Sequence, residues 1–198
     1  MARITGSNGA RTAAAIRRVA LRLIYRQGFA AMNLRDLAAE VGIQPSSLYN
    51  HIASKQALLS DLMQEHMEAL LAATDAAVAA AGPGLMDRLR AFIGHHVLYH
   101  TERRHEVYIA NFELRALDPA NHERVVTMRA GYEARLMALL REGVEVGDLE
   151  IADIPVTAFA MLAMLTGVCT WYRPNGRLGK AELVALHTEL ALNGIRRR

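Results

Sequence analysis

The chain has 198 residues, just over half of them apolar, which is ample for one large domain or two small ones. A single cysteine, Cys169, excludes an intrachain disulfide and suits a reducing, cytoplasmic setting. The net charge of +3 is uneven: residues 1–60 hold eight basic side chains (Arg3, Arg11, Arg17, Arg18, Arg22, Arg26, Arg35 and Lys55) against Asp36 and Glu40, while the remainder holds 15 basic and 18 acidic residues. One end of the molecule is therefore suited to a polyanion and the rest is not.

Helical periodicity runs throughout, with no sustained alternation and no hairpin turn between β-branched runs, so the expected class is all-α. The spacing predicts a first helix over residues 10–27. Ile16, Val19, Ala20, Leu23 and Ile24 recur at helical intervals on one face. Arg18, Arg22 and Arg26 lie on another, and Gly28 closes the helix. A second helix is expected over 34–41, with Asn33 as N-cap, Asp36 three residues on, and Gly42 at its end. Pro45 suits the first position of a third helix, of about two turns. Its Leu48 and Ile52 face inward, leaving Ser46, Ser47, Tyr49 and Asn50 outside. Ser54 then caps a long helix from 55 to about 80, stopped at Gly82-Pro83-Gly84. Further helices are expected near 85–100, 103–116, 120–145, 154–171 and 180–194. No window of about 20 residues reads as apolar enough to span a bilayer, and no secretory signal opens the chain, so no membrane partner is expected.

A helix, the three-residue turn Gly42-Ile43-Gln44 and a short helix with a polar outer face follow the logic of a helix-turn-helix. Small donors and acceptors on such a helix meet base edges, which points to Gln44, Ser46, Ser47 and Asn50, with Pro45 at the helix start. The flanks of a reading helix grip phosphates, which points to Tyr49, His51 and Lys55, with Arg35 on the preceding helix. An ordinary surface helix would not explain why the polar face, the glycine turn and the basic helix occur together. Double-stranded DNA is the expected partner.

These residues resemble the DNA-binding domain of TetR-family transcriptional regulators. The likeness is carried from Ala20 by "ALRLIYRQGFAAMNLRDLAAEVGIQPSSLYNHIASKQALL". Its matching points are Gly28-Phe29, Leu37-Ala38, Val41-Gly42-Ile43, Leu48-Tyr49, His51, Ser54-Lys55 and Leu58-Leu59. Departures fall at Gln44-Pro45, Ser46 and Ile52, within or beside the residues that choose an operator. The resemblance implies a three-helix DNA-binding domain over residues 1–54. It implies a larger all-helical domain over 55–198 that binds a small effector and forms a homodimer. It further implies a ligand-responsive regulator, a repressor released from its operator by that effector, with no catalytic residue and no cofactor. In the body, the "EGVEVGDL" turn, the Trp171-Tyr172 helix end and the Gly176 loop resemble regulators of fatty-acid and steroid breakdown. The implied effector is then a lipid or acyl-CoA thioester.

Pattern alone is compatible with this. Residues 154–171 are apolar almost all round, which asks for burial on every side. A partner subunit could supply it, with Leu183, Leu186 and Leu190 completing a four-helix interface; a central core helix in a monomer is the alternative. Met67, Phe92, His96, Tyr99, Tyr108, Phe112, Met128 and Tyr132 are candidate effector contacts, being bulky and adaptable with a few polar tips, although plain core packing accounts for any one of them. Arg103, Arg104 and Arg115 are available to an anionic head group or to solvent.

The main rival is a helical metal-binding protein or enzyme using His95, His96 and His100. His96 and His100, at i and i+4, share a face and so could share a metal. No His-Glu-x-x-His motif accompanies them, since residue 97 is Val97, and there is neither a phosphate loop nor a Gly-x-Ser-x-Gly elbow. A helical protein-interaction module that binds no DNA is a third reading.

Overall fold

The computed structural model describes residues 6–196. Arg3, counted above among the basic residues, lies outside them. The described residues form ten α-helices and one 3-10 turn, with a single isolated antiparallel bridge between Leu149 and Arg196. They fall into two compact units. One comprises the described residues up to 66 together with 105–125; the other comprises 67–104 and the residues from 126 onward.

In the N-terminal unit, α1 (Gly6–Gln27) buries the face its spacing predicts: Ile16, Val19, Ala20, Leu23 and Ile24 are all at most 4% exposed. Gly28 ends it at φ 81°, a left-handed conformation that L side chains rarely adopt. Helix α2 (Leu34–Val41) opens on Asn33, whose side chain accepts a 2.8 Å bond from the Asp36 amide. It closes on Gly42 at φ 80°. Helix α3 is shorter than expected. Its regular part is Pro45–Leu48, and i→i+3 bonds from Asn50 to Ser47 and from His51 to Leu48 continue it as tight turns. Asn and His are weak helix formers, and the cap at Ser54 needs non-helical backbone, so the helix gives way early. Ser54 does cap α4 (Lys55–Ala80), its hydroxyl accepting from the Ala57 amide at 2.9 Å.

The expected helix over 103–116 is broken. Helix α6 (Arg104–Phe112) stops at Glu113, and a 3-10 turn (Leu114–Ala116) precedes α7 (Pro119–Glu145). Two clasps tie this stretch to the N-terminal helices. Glu113 Oε1 accepts from the Phe29 amide at 3.2 Å. Gln56 donates to the Ala116 carbonyl at 2.7 Å, and its own carbonyl accepts from the Asp118 amide at 3.2 Å.

In the other unit, α5 (Leu85–Glu102) is the central element. It packs against α8 (Ile154–Thr166), α9 (Val168–Trp171) and α10 (Lys180–Asn193). Leu89, Phe92, Ile93 and Val97 on α5 are fully buried, each contributing about 1.5–3 kcal/mol of transfer free energy. Gly94 lets α10 approach closely, because a Cβ there would lie 3.3 Å from Val184 Cγ1.

The stretch Ile154–Trp171 corrects one expectation. It is long and apolar enough, by length and composition, to cross a bilayer, yet only 28% of it is buried within the chain. Two different demands make it apolar. Ala158, Met161 and Leu165 pack into the unit, whereas Val156, Phe159 and Met164 are exposed. Gly167 also divides it into α8 and α9.

Candidate DNA-binding surface and effector cavity

The segment Gln44–Lys55 separates apolar from polar side chains. Leu48 is fully buried and Ile52 is 7% exposed, anchoring it from within. Gln44, Pro45, Ser46, Tyr49 and Asn50 are exposed, and Ser47, His51 and Lys55 are half-buried. Tyr49 stands 60% exposed, a large ring held outside the core. Arg35 is exposed on α2. All nine residues expected to meet DNA thus belong to the N-terminal unit, and none is buried. Lys55 is already positioned: its ammonium donates to the Ala30 carbonyl at 3.2 Å and sits 4.4 Å from the Phe29 ring centroid. An ammonium has three donors, so this seat orients the charge without exhausting it.

The arginines of α1 are less uniform than the sequence suggests. Arg17 makes a forked ion pair with Glu65, its Nε donating to both carboxylate oxygens at 2.8 and 3.0 Å. Arg22 hydrogen-bonds Glu40, and Arg26 lies 3.5 Å from the other oxygen of that carboxylate. The Arg22 bond holds the Glu40 carboxyl below the usual range, against opposing desolvation and with the Arg22 and Arg26 charges adding to it. The hydrogen-bonded pairs, Arg22 with Glu40 and Arg17 with Glu65, join residues 18 and 48 positions apart, so no local pattern announces them.

The effector candidates do not gather at one place. Tyr108 and Phe112 belong to the N-terminal unit, where Tyr108 packs on Tyr25 and Phe112, and Tyr25 in turn on His105. Phe112 is 56% exposed. Met67, Phe92, His96, Tyr99, Met128 and Tyr132 belong to the other unit. There, a cavity of about 410 Å³ is lined by Thr74, Asp75, Val78, Ala79, Gly82, Arg88, Phe92, Arg135, Ala138, Leu139 and Glu142. Of the candidates only Phe92 lines it. Sequence reasoning missed its charged residues. Arg135 grips Asp75 through two bonds of 2.6 and 2.7 Å, and Arg88 pairs with Glu142. The Arg135 bonds hold the Asp75 carboxyl below its ordinary value. Arg88 keeps its Nε buried and without a hydrogen-bond partner, a donor still to be used.

His96 and Tyr132 lie beside Phe92, their ring centroids 6.5 and 5.3 Å from its own. His96 is fully buried and has both ring nitrogens engaged, Nδ1 with the Tyr132 hydroxyl at 2.9 Å and Nε2 with the Thr166 hydroxyl at 3.1 Å. Burial holds it well below the usual histidine range, with His100 and His95 adding to the effect, so it is neutral at pH 7. Burial likewise pushes the Tyr132 hydroxyl up, keeping it protonated. His100 stacks on His96 at 3.7 Å between centroids and donates from Nδ1 to the His96 carbonyl. His96 is thereby closed to a shared metal, because both of its ring nitrogens are already hydrogen-bonded. Among the described residues no three His, Cys, Asp or Glu side chains converge to hold one. Of the arginines considered for an anionic head group, Arg104 donates its Nε to the Cys169 carbonyl at 3.2 Å.

Two family models match successive stretches of the chain. Residues 16–62 match the model for bacterial regulatory proteins of the tetR family, and residues 82–195 match the tetracyclin repressor-like C-terminal domain. The HTH-type transcriptional repressor KstR2 of Rhodococcus jostii is 27% identical over 203 residues, covering 96% of this chain and 93% of that protein. The solved structure of a bacterial regulatory protein in the tetR family from Rhodococcus RHA1 superposes with a TM-score of 0.84 at 26% identity, covering 92% of this chain and 95% of that one. The TetR-family transcriptional regulator PfmR from Thermus thermophilus gives a TM-score of 0.82 at 28% identity, over 92% and 99% of the two chains.

Proposed function

From the premise that the chain belongs to the tetR family of bacterial regulatory proteins, a family of transcriptional regulators and not of enzymes, we propose how it acts: as a cytoplasmic homodimer that represses transcription until a small effector releases it from its operator. The observation that carries this reading is the segment Gln44–Lys55, whose Leu48 and Ile52 are buried and whose hydrogen-bonding side chains are exposed or half-buried. On this reading residues 1–54, joined by Lys55 at their border, read DNA, and residues 55–198 otherwise bind the effector and dimerise. Gln44, Ser46, Ser47 and Asn50, with Pro45 at the helix start, meet bases. Arg35, Tyr49, His51 and Lys55 hold phosphates.

Dimerisation is supported by two apolar faces that a lone chain leaves in water. Val156, Phe159 and Met164 are exposed on α8, as are Leu186 and Leu190 on α10, the last at 66%. Both helices pack on α5, and a second copy covering them would build an isologous four-helix interface. This demand explains the bilayer-like composition of Ile154–Trp171 without a membrane.

The effector site we propose is the cavity floored by Phe92. Its walls include Val78, Ala79, Ala138 and Leu139, and its charges are two closed ion pairs. An apolar body with a hydrogen-bond acceptor for Arg88 suits this lining, as a lipid or acyl thioester would provide. The ligand shifts the operator affinity by as much as it prefers the released conformation.

The test is selection of fragments from genomic DNA with the purified protein. Enriched fragments should share paired half-sites about one helical turn, ~34 Å, or a multiple apart. Recovery of no sequence above background would reject the operator-binding reading. Titration of a recovered site with long-chain acyl thioesters then tests the effector class; failure to release DNA at any attainable concentration rejects that class and leaves the regulator.

A further inference from the structure

Five described basic residues stand on α1, but they are not electrostatically alike. Arg17 is closed against Glu65 and Arg22 against Glu40, with Arg26 at the margin of the second pair. Arg11 and Arg18 make no ion pair among the described residues, and both are exposed. Seven residues apart, they stand two turns from each other on one face of α1. That face borders a groove of about 420 Å³ lined by Arg11, Thr12, Ala14, Ala15 and Arg18 together with Val41 and Ile43. The two alanines keep it open, and no acidic side chain lines it. Val41 ends α2 and Ile43 stands in the turn that leads to α3, so the groove adjoins the start of the reading segment.

We propose that this groove grips the DNA sugar–phosphate backbone next to the bases met by residues 44–50, through Arg11 and Arg18, and that Arg17 and Arg22 take no part. The inference rests on the operator-binding reading above. Phosphate contacts fix the register of a reading helix without carrying sequence information, so they belong on a rigid element beside it. A guanidinium without an acidic partner offers its full charge and its donor fork to a phosphodiester. One locked to a carboxylate must first break that pair, and the freed carboxylate then repels the backbone. The count of basic residues in the N-terminal third therefore overstates the grip.

The full-length protein is titrated with a short random-sequence DNA duplex over a series of salt concentrations, by fluorescence anisotropy. Arg11→Gln and Arg18→Gln should each reduce the slope of log affinity against log salt by about one unit. Arg18→Lys should keep the wild-type slope, which separates loss of charge from damage to the fold. Arg17→Gln and Arg22→Gln should keep it too. Unchanged slopes for both Arg11→Gln and Arg18→Gln, or equal losses for Arg17→Gln and Arg22→Gln, would overturn the assignment while leaving DNA binding intact. A wild-type protein with no salt-dependent binding to any duplex would remove the operator-binding reading and this inference together.

Discussion

The segment Ser46–His51 and the stretch of α5 around His96 are both rich in polar side chains, and the chain treats them in opposite ways. At His96 both ring nitrogens are satisfied by Tyr132 and Thr166 within a fully buried site. At Ser46, Tyr49 and Asn50 the side chains face water around a buried Leu48. A buried polar group without partners costs free energy, so the first arrangement is a condition of folding. An exposed polar group without partners costs almost nothing, so the second leaves capacity for something else. Polarity alone does not mark a functional surface; polarity that folding has not consumed does.

The sharpest way to break this contrast is from inside. Leu48→Ala should destabilise the N-terminal unit by about 2–5 kcal/mol, read from urea unfolding, because it empties a fully buried site. Asn50→Ala, two residues away, should leave stability within ~0.5 kcal/mol. Its cost, about 1–3 kcal/mol, should appear only in discrimination between the operator and a mutated site. Equal stability losses in the two variants would erase the contrast. His96→Leu should behave as a core change, costing about 1–3 kcal/mol in unfolding by stranding the Tyr132 and Thr166 hydroxyls, and leaving affinity for a random duplex unchanged.

A smaller effect is expected with pH. His96 is held well below the histidine range when folded, chiefly by burial, but takes up a proton near pH ~6.5 when unfolded. The unfolded state then binds more protons, so the stability present above about pH 6.5 is lost as the pH falls below it. His96→Gln should make the decline shallower in unfolding midpoints measured from neutral to mildly acidic pH. His95, shifted the same way by burial, should leave a residual slope. An unaltered slope in His96→Gln would show that this site does not stay neutral.

What the sequence made legible follows from distance along the chain. The inner face of α1, the cap at Asn33 and the placing of Leu48 and Ile52 are set by residues within a turn or two of one another, and each falls where its spacing predicts. The pairing of Arg22 with Glu40, of Arg88 with Glu142 and of the Phe29 amide with Glu113 joins residues 18, 54 and 84 positions apart. Periodicity carries no trace of such partners. The same limit explains why the effector candidates scatter over both units. His96 reads as a free imidazole until Tyr132 and Thr166, 36 and 70 residues away, are brought to it. The early end of α3 has a different origin, since cap and helix compete over the same few residues.

The two clasps at Gln56 and Glu113 lie within an N-terminal unit that is discontinuous in sequence. Residues 105–125 complete a unit that begins before residue 66, supplying the acceptors for the Phe29 amide and the Gln56 side chain. Transplanting residues up to 66 onto a relative's body would leave the Phe29 amide facing whatever side chain replaces Glu113, whereas Gln56 bonds main-chain groups. An exchange of the N-terminal helices between relatives therefore keeps the Glu113 clasp only when α6 and the start of α7 travel with them. Recombination that respects the family's apparent domain border would be punished at Phe29.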